Sequence, residues 1–261
     1  MDLSIVILHH GNPQDVSKNL EALTHAILPA KTEVIVVNNG YSGANAGIPF
    51  ERNLKFDLRF FEIKNKGYSN GNNFGINITK GQYICILNPD IEVEKDTFRV
   101  LLAYLKAHPR VGIAGPRLYY ADGQVQDNYR MFPRPLDHFI KRTILCKIFT
   151  ERMRKYLMWD KDPKRSEPVD WLTGAFQIIT RKAWNKIGPN DERFFLFMSD
   201  VDLCRQAWNR GFEVHFVGSA GALHRENRLS GGGLVDVFKK KTVRTHFWDA
   251  LKYYLKYNPL A

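Results

Sequence analysis

Apolar positions in the first third of the chain come in short unbroken runs, each closed by small polar residues. Leu3–Leu8 ends at His9-His10-Gly11-Asn12-Pro13, Glu33–Val37 at Asn38-Asn39-Gly40, and Tyr83–Leu87 at Asn88-Pro89-Asp90. Strands that are apolar without alternation belong in a sheet covered on both faces. Between them, Asp15–Leu28 carries Val16, Leu20, Leu23 and Ile27 at helical spacing. Leu58–Ile63 is a further strand, Tyr68–Thr79 a short helix, and Asp96–Ala107 a helix stopped by His108-Pro109. Strands alternating with helices imply right-handed crossovers and a mostly parallel sheet over roughly the first 115 residues.

The pattern then changes. Leu118-Tyr119-Tyr120 and Val125–Tyr129 flank Ala121-Asp122-Gly123, a hairpin signal. Phe139–Leu157 reads as one helix, apolar on one side and basic on the other. Trp171–Thr180 is a strand, Arg181–Ile187 a short helix, and Leu203–Arg210 a helix that Gly211 terminates. Glu213–Val217 and Ala222-Leu223-His224 are strands, and Leu234–Tyr257 is a long helix. No repeat or low-complexity linker interrupts the chain.

Three stretches could carry chemistry. Asp90 follows a buried strand, where α/β sheets bind ligands. It suits a divalent metal whose other ligands come from elsewhere, and equally a solvated turn. Asn65–Gly75 is dense in Asn and Gly and opens a helix, a place suited to phosphate or base contacts. Asp200 and Asp202 stand at a helix start behind Phe194, Phe195 and Phe197. Either could be a general base or a cap. His224 ends a short strand, and a lone His there is more often structural than a ligand.

Charge narrows the partners. The net charge is +11 over 261 residues. Residues 134–168 hold ten Lys and Arg against five Asp and Glu, and residues 225–261 hold eight against three. No helix-turn-helix, zinc or RNA-recognition signature accompanies this charge, so nucleic acid is not the expected partner. The basic segments also carry apolar stripes: Val243, Phe247, Trp248, Leu251 and Leu255 among Lys239, Lys240, Lys241, Arg244, Lys252 and Lys256. That combination suits an anionic membrane surface, or an ordinary helix packed on the domain. No apolar run approaches the roughly 20 residues of a membrane span. Without a signal-peptide pattern, and with Cys85, Cys146 and Cys204 far apart, the expected location is cytoplasmic, peripheral on the inner face of the membrane.

Four motifs in this order and spacing resemble the family-2 inverting glycosyltransferases of GT-A fold. They are Asn65–Gly75, Leu87-Asn88-Pro89-Asp90, Val169-Asp170-Trp171-Leu172-Thr173-Gly174-Ala175-Phe176, and Phe194–Arg205 followed by Gly211 and His224. Within the family they are most similar to the bacterial rhamnosyltransferases that build O-antigen and other cell-surface polysaccharides. The likeness runs from Leu3 to about Ser230. It implies an α/β fold with a mostly parallel, Rossmann-like central sheet flanked by helices. It divides the chain into a transferase domain over 1–230 (a nucleotide-binding half to 115, an acceptor half from 116) and an amphipathic basic helix over 231–261.

The resemblance also implies roles. Asp90 and His224 match ligands of Mg²⁺ or Mn²⁺, and Asp200 matches the catalytic base. His9, Asn38, Asn39, Asn65, Gly67, Gly71, Asn72 and Asn88 fall on the donor side. Trp171, Gly174, Ala175, Phe176 and Asp202 fall beside the acceptor and donor sugar. The implied reaction moves L-rhamnose from dTDP-rhamnose to a lipid-linked saccharide. Another nucleotide sugar such as a UDP-hexose, or a non-catalytic binding relative, is the alternative. Departures from the family pattern are His9-His10-Gly11-Asn12 for Thr-Tyr-Asn, Asn38 for Asp, Asn88 for the first acid of Asp-x-Asp, and Ser199 for the Glu before the base.

Overall fold

The structure is a computed structural model that describes residues 1–10, 13–40, 54–141, 143–225 and 240–257. Its elements in chain order are β1 Leu3–His9, α1 Pro13–His25, β2 Thr32–Asn38, β3 Asp57–Glu62, α2 Tyr68–Asn77, β4 Tyr83–Leu87, β5 Ile91–Val93, α3 Thr97–Ala107, β6 Val111–Tyr119, β7 Tyr129–Arg130, α4 Pro135–Lys141, α5 Thr150–Tyr156, β8 Glu167–Pro168, β9 Trp171–Leu172, β10 Phe176–Thr180, α6 Arg181–Ile187, α7 Ser199–Asn209, β11 Glu213–His224 and α8 Lys241–Tyr257.

The main sheet runs β3-β2-β1-β4-β10-β6-β11-β5, with β8 paired to β11. Strands β3, β2, β1 and β4 are parallel neighbours, as are β6 and β11. β10 lies antiparallel between β4 and β6. The unbroken apolar runs explain the centre of this sheet, since alternate residues of β1 serve opposite faces. Leu3, Ile5 and Ile7 join a core with Leu20, Leu23, Phe98 and Leu101 from α1 and α3. Val6 and Leu8 join a second core with Trp184, Val201 and Tyr253 from α6, α7 and α8. Each fully buried Val, Ile or Leu contributes about 1.5–3 kcal/mol.

The mostly parallel α/β architecture expected from the sequence is present. Several elements differ. Trp171–Thr180 is two strands, β9 and β10, broken at Thr173-Gly174-Ala175. Phe139–Leu157 is not one helix: α4, a 3₁₀ turn over Ile144–Lys147 and α5 replace it. Glu213–Val217 and Ala222–His224 form one bent strand, because an irregularity between Val217 and Gly221 shifts its register on β6. The hairpin at Ala121-Asp122-Gly123 is a tight turn with a single bridge, Tyr119 to Val125. Strand β6 was hidden by its own Gly112, Gly115 and Pro116. A Cβ on Gly112 would meet Phe212 and Ala183 near 2.7–2.9 Å, so crowding on the face that carries α6 selects the glycine.

The C-terminal helix is part of the core. Asp249 and Tyr253 are 0% exposed, and Val243 is 1% exposed. The stripe drawn from the sequence splits: Val243 points inward, while Phe247, Trp248, Leu251 and Leu255 point outward at 54%, 57%, 38% and 75% exposure. Leu234–Lys239, the expected start of this helix, lies outside the described residues, as do Gly11 and Asn12.

Candidate active site

Strand β4 ends at Leu87, and Asn88-Pro89-Asp90 turns the chain into β5. β5 pairs antiparallel with the end of β11, with Ile91 opposite His224. This register brings Asp90 and His224 together across 134 positions, with Nε2 3.1 Å from Oδ2. Asn19 holds the turn from below: its buried amide donates to the carbonyls of Asn88 (3.0 Å) and Ile91 (2.8 Å).

Gln126 sets the tautomer of His224. Its Nε2 donates to the His224 carbonyl at 3.0 Å, so its Oε1 is the atom 2.8 Å from His224 Nδ1. Nδ1 therefore carries a hydrogen, and Nε2 is the ring nitrogen that faces the Asp90 carboxylate. A cation held beside both side chains would use the Nε2 lone pair and the carboxylate together. Asp90 Oδ1 is buried and has no hydrogen-bond partner. The 3.1 Å separation also suits adjacent corners of an octahedral site, because ligands about 2.1 Å from Mg²⁺ at right angles lie about 3.0 Å apart. Among the described residues no three His, Cys, Asp or Glu cluster into a complete metal cage. The pair thus fits a hard divalent ion that takes its remaining ligands from water and phosphate.

Asp200 sits in the first turn of α7, partly exposed. Its Oδ2 accepts from the Gly174 N–H and its Oδ1 from the Val201 N–H, each at 2.9 Å. These bonds fix the carboxylate and leave lone pairs for a proton. Burial pushes the Asp200 carboxyl up from the ordinary 3.8, against the pull of those N–H groups and of the Arg130 cation. A carboxylate so placed is a stronger base than one in water.

Tyr68 joins the two centres. Its hydroxyl donates to the Gly174 carbonyl at 2.7 Å and lies 3.4 Å from Asn88 Oδ1. Burial and the nearby Asp200 charge raise the phenol well above its usual range, so it remains a neutral donor. Gly67, at φ 103°, permits the approach, since a Cβ there would lie 2.5 Å from the Phe195 carbonyl oxygen.

His9 and Asn38, expected on the donor side, are register partners at the ends of β1 and β2. The Asn38 side chain accepts from Gly40 N at 2.8 Å, and that of Asn65 accepts from Gly67 N at 2.9 Å. The Asn65 amide lies 3.5 Å from His10 Nδ1, which in turn lies 3.3 Å from the Asn39 carbonyl. His9, Asn38, Asn39, Asn65 and Gly67 are thereby gathered beyond the C-terminal ends of β1 and β2.

Other expected residues stand apart. Gly71 faces Leu8 on β1, and Asn72 is 0% exposed with its amide on the Tyr68 carbonyl. Gly71 thus lies on the sheet side of α2. Phe176, 1% exposed, packs on Phe98 with ring centroids 5.5 Å apart. Trp171, 6% exposed, donates to the Met131 carbonyl. The Ala175 carbonyl accepts from Asn88 N at 2.8 Å, which ties it to the turn that bears Asp90. Asp202 is 3% exposed and tied to Lys256 at 2.8 Å and to the Tyr257 hydroxyl at 2.6 Å, so it anchors α8 to α7.

Sequence reasoning missed Asn19, Tyr68 and Gln126 as parts of this site. Asn19 had a signal, since it is a polar residue in the buried stripe of Val16, Leu20 and Leu23. Gln126 had none, because its role depends on a strand pairing 98 positions away.

The family model described as glycosyl transferase family 2 matches residues 4–187. N-acetylglucosaminyl-diphospho-decaprenol L-rhamnosyltransferase of Mycobacterium tuberculosis is 28% identical over 162 residues, 57% of this chain and 48% of that protein. The chain thus spans about half the length of that relative. Rhamnosyltransferase WbbL of Escherichia coli is 24% identical over 199 residues, covering 72% of this chain and 69% of its own length. Among solved structures, the mannosyltransferase PcManGT from Pyrobaculum calidifontis, in complex with GDP-Man and Mn²⁺, superposes with a TM-score of 0.60 at 13–14% identity typical of these neighbours (14% here), covering 96% of this chain and 64% of that one.

Proposed function

The chain belongs to glycosyl transferase family 2, with the GT-A fold, and from that membership we propose that it is an inverting, metal-dependent transferase acting on a nucleotide sugar. The observation that carries the reading is the pairing of Asp90 with His224, whose Nδ1 is held by Gln126 and whose Nε2 faces the carboxylate. Asp90 and His224 would hold Mg²⁺ or Mn²⁺, which when bound neutralises charge on the leaving diphosphate.

The protein's own residues supply the rest. Asp200 takes the proton of the acceptor hydroxyl as its oxygen bonds to the anomeric carbon. The bond from that carbon to the diphosphate breaks, and the nucleoside diphosphate leaves with the electron pair. No covalent enzyme intermediate is needed, so configuration inverts. Tyr68 and Gly174 keep Asp200 in line with the turn that bears Asp90. His9, Asn38, Asn39 and Asn65 take the nucleoside, and amides at 38 and 65 suit a pyrimidine edge.

The rhamnosyltransferase relatives favour L-rhamnose as the sugar and a saccharide acceptor on a diphospho-lipid, and thymidine diphosphate is the carrier that the family resemblance of the motifs implies. The outward ridge of Phe247, Trp248, Leu251 and Leu255 supports a peripheral position on an anionic membrane, where such an acceptor lies. Among the described residues no helix is long and apolar enough to cross a membrane. The test is thermal shift and sugar transfer with dTDP-rhamnose, UDP-hexoses and GDP-mannose, with and without Mn²⁺. A metal-dependent stabilisation and turnover by dTDP-rhamnose is expected. Tight binding of a purine nucleotide sugar, with none of a thymidine or uridine one, refutes the donor assignment.

A further inference from the structure

The last helix reaches into the loop that delivers the base. Asp249, in the middle of α8, is 0% exposed. Its carboxylate accepts from three consecutive backbone N–H groups: Phe195 at 3.3 Å, Leu196 at 3.0 Å and Phe197 at 3.0 Å. No helix or strand supplies partners for these three groups, because α7 begins only at Ser199. A buried carboxylate that collects three N–H bonds is a strong local constraint, since bonds to a charged acceptor are roughly twice as strong as neutral ones.

The constrained loop touches the site from two directions. Toward the C-terminus it enters α7 through Met198, a non-glycine residue at φ 67°, and two residues later carries Asp200. Such a backbone persists only where its surroundings over-determine it. Toward α2, the Phe195 carbonyl accepts from Tyr68 N at 2.6 Å and the Phe194 carbonyl from the Ser69 hydroxyl at 2.8 Å. Tyr68 in turn holds the Gly174 carbonyl, and Gly174 N holds Asp200. Both ends of the network around the base thus depend on one carboxylate from the far end of the chain.

We infer that Asp249 is a positioning residue for the transfer reaction: it fixes the Phe195–Phe197 loop, and through it the orientation of Asp200 and Tyr68. The inference rests on the transferase reading above. A residue that merely fastened α8 to the domain would affect stability alone. A positioning residue affects turnover in protein that remains folded and still binds its donor.

The experiment compares the full-length wild type with Asp249→Asn, Asp249→Glu and Lys252→Met. Asn keeps the volume but offers one acceptor oxygen for three N–H groups. Glu keeps charge and acceptors but displaces them by a methylene, and serves if the Asn variant does not fold. Lys252 contacts the same carboxylate at 3.1 Å and the Arg193 carbonyl at 2.7 Å, and its replacement leaves the three N–H bonds from Phe195, Leu196 and Phe197 to Asp249 in place. The measurements are melting temperature, the dissociation constant of dTDP with Mn²⁺, and kcat for transfer from dTDP-rhamnose well below each melting point. The expected result is a kcat about 10- to 10²-fold lower in the Asp249 variants, the cost of a small misplacement of catalytic groups. The dTDP constant should stay within about twofold, and Lys252→Met should match wild type. A folded Asp249 variant with lower melting temperature and unchanged kcat overturns the inference alone. A wild type that transfers sugar from no nucleotide donor overturns the transferase reading and this inference with it.

Discussion

Replacing Asp200 by Asn separates catalysis from stability, because the structure puts the two effects on different atoms. The carboxylate accepts from Gly174 N and Val201 N, each at 2.9 Å. An amide offers one oxygen for these two donors, so one N–H faces an NH₂ group, which costs about 1–3 kcal/mol. A second effect has the opposite sign. The carboxyl is raised from 3.8, with burial the largest cause, so the folded state disfavours its charge. The stability that this group confers is fully present below the ordinary value and is lost as pH rises through the raised one. Asn carries no charge and escapes that loss at neutral pH. The two effects offset, and the melting temperature should move by only a few degrees. Turnover has no such compensation. Loss of a general base lowers the rate by about 10²- to 10⁴-fold, or about 2.7–5.5 kcal/mol of barrier. The assay is nucleoside diphosphate release at saturating donor and acceptor, with donor binding measured separately. In the wild type the rate should fall on the acid side with a midpoint above 3.8. An Asn variant that keeps more than about a tenth of wild-type turnover, below the usual worth of a general base, would sink the assignment of Asp200.

Asp202→Asn should show the reverse balance: melting lowered by an amount equivalent to about 1–3 kcal/mol, with turnover nearly kept, since its partners are Lys256 and Tyr257 rather than the site. Gln126→Ala should weaken Mn²⁺ binding by about 10- to 100-fold in calorimetry, as loss of a group that orients a ligating imidazole does, while melting without metal changes little. Gly71→Ala should destabilise by about 1–3 kcal/mol in denaturant titration, because the new Cβ would lie 2.5 Å from Leu8 Cδ1 and push α2 off β1. The protein should sediment with anionic vesicles at low salt and be released at high salt, with Trp248→Ser and Leu255→Ser together reducing the bound fraction; equal partition onto neutral and anionic vesicles excludes the membrane role.

The parallel half of the sheet was legible because β1, β2 and β4 are buried on both faces and read as unbroken apolar runs. β6 was not, since small residues there answer to neighbours distant in sequence. The Asp90–His224 pairing was expected from the family pattern alone. The physical cause, the register of β5 on β11, could not be seen in a three-residue strand. The last helix was ambiguous in principle. It carries two stripes at helical spacing, and the sequence does not say that Val243, Asp249 and Tyr253 turn inward while Phe247, Trp248, Leu251 and Leu255 turn out. Nothing in the sequence distinguishes Asp249 from a surface acid on a basic helix.

The position of β10 has a consequence for synthesis. β4 finds β1 on one edge, but its other edge is filled only by Phe176–Thr180, made some ninety residues later. A nascent chain that has extended through β6 therefore carries two apolar strands, β4 and β6, whose shared partner does not yet exist. Open edges of that kind are templates for pairing with other chains. The ribosome must deliver residue 180 before the sheet can close, so a chain that stops after β6 carries an unfinished sheet. Translation stalls or truncations between β4 and β10 should yield aggregates, and those beyond β10 should not expose this seam.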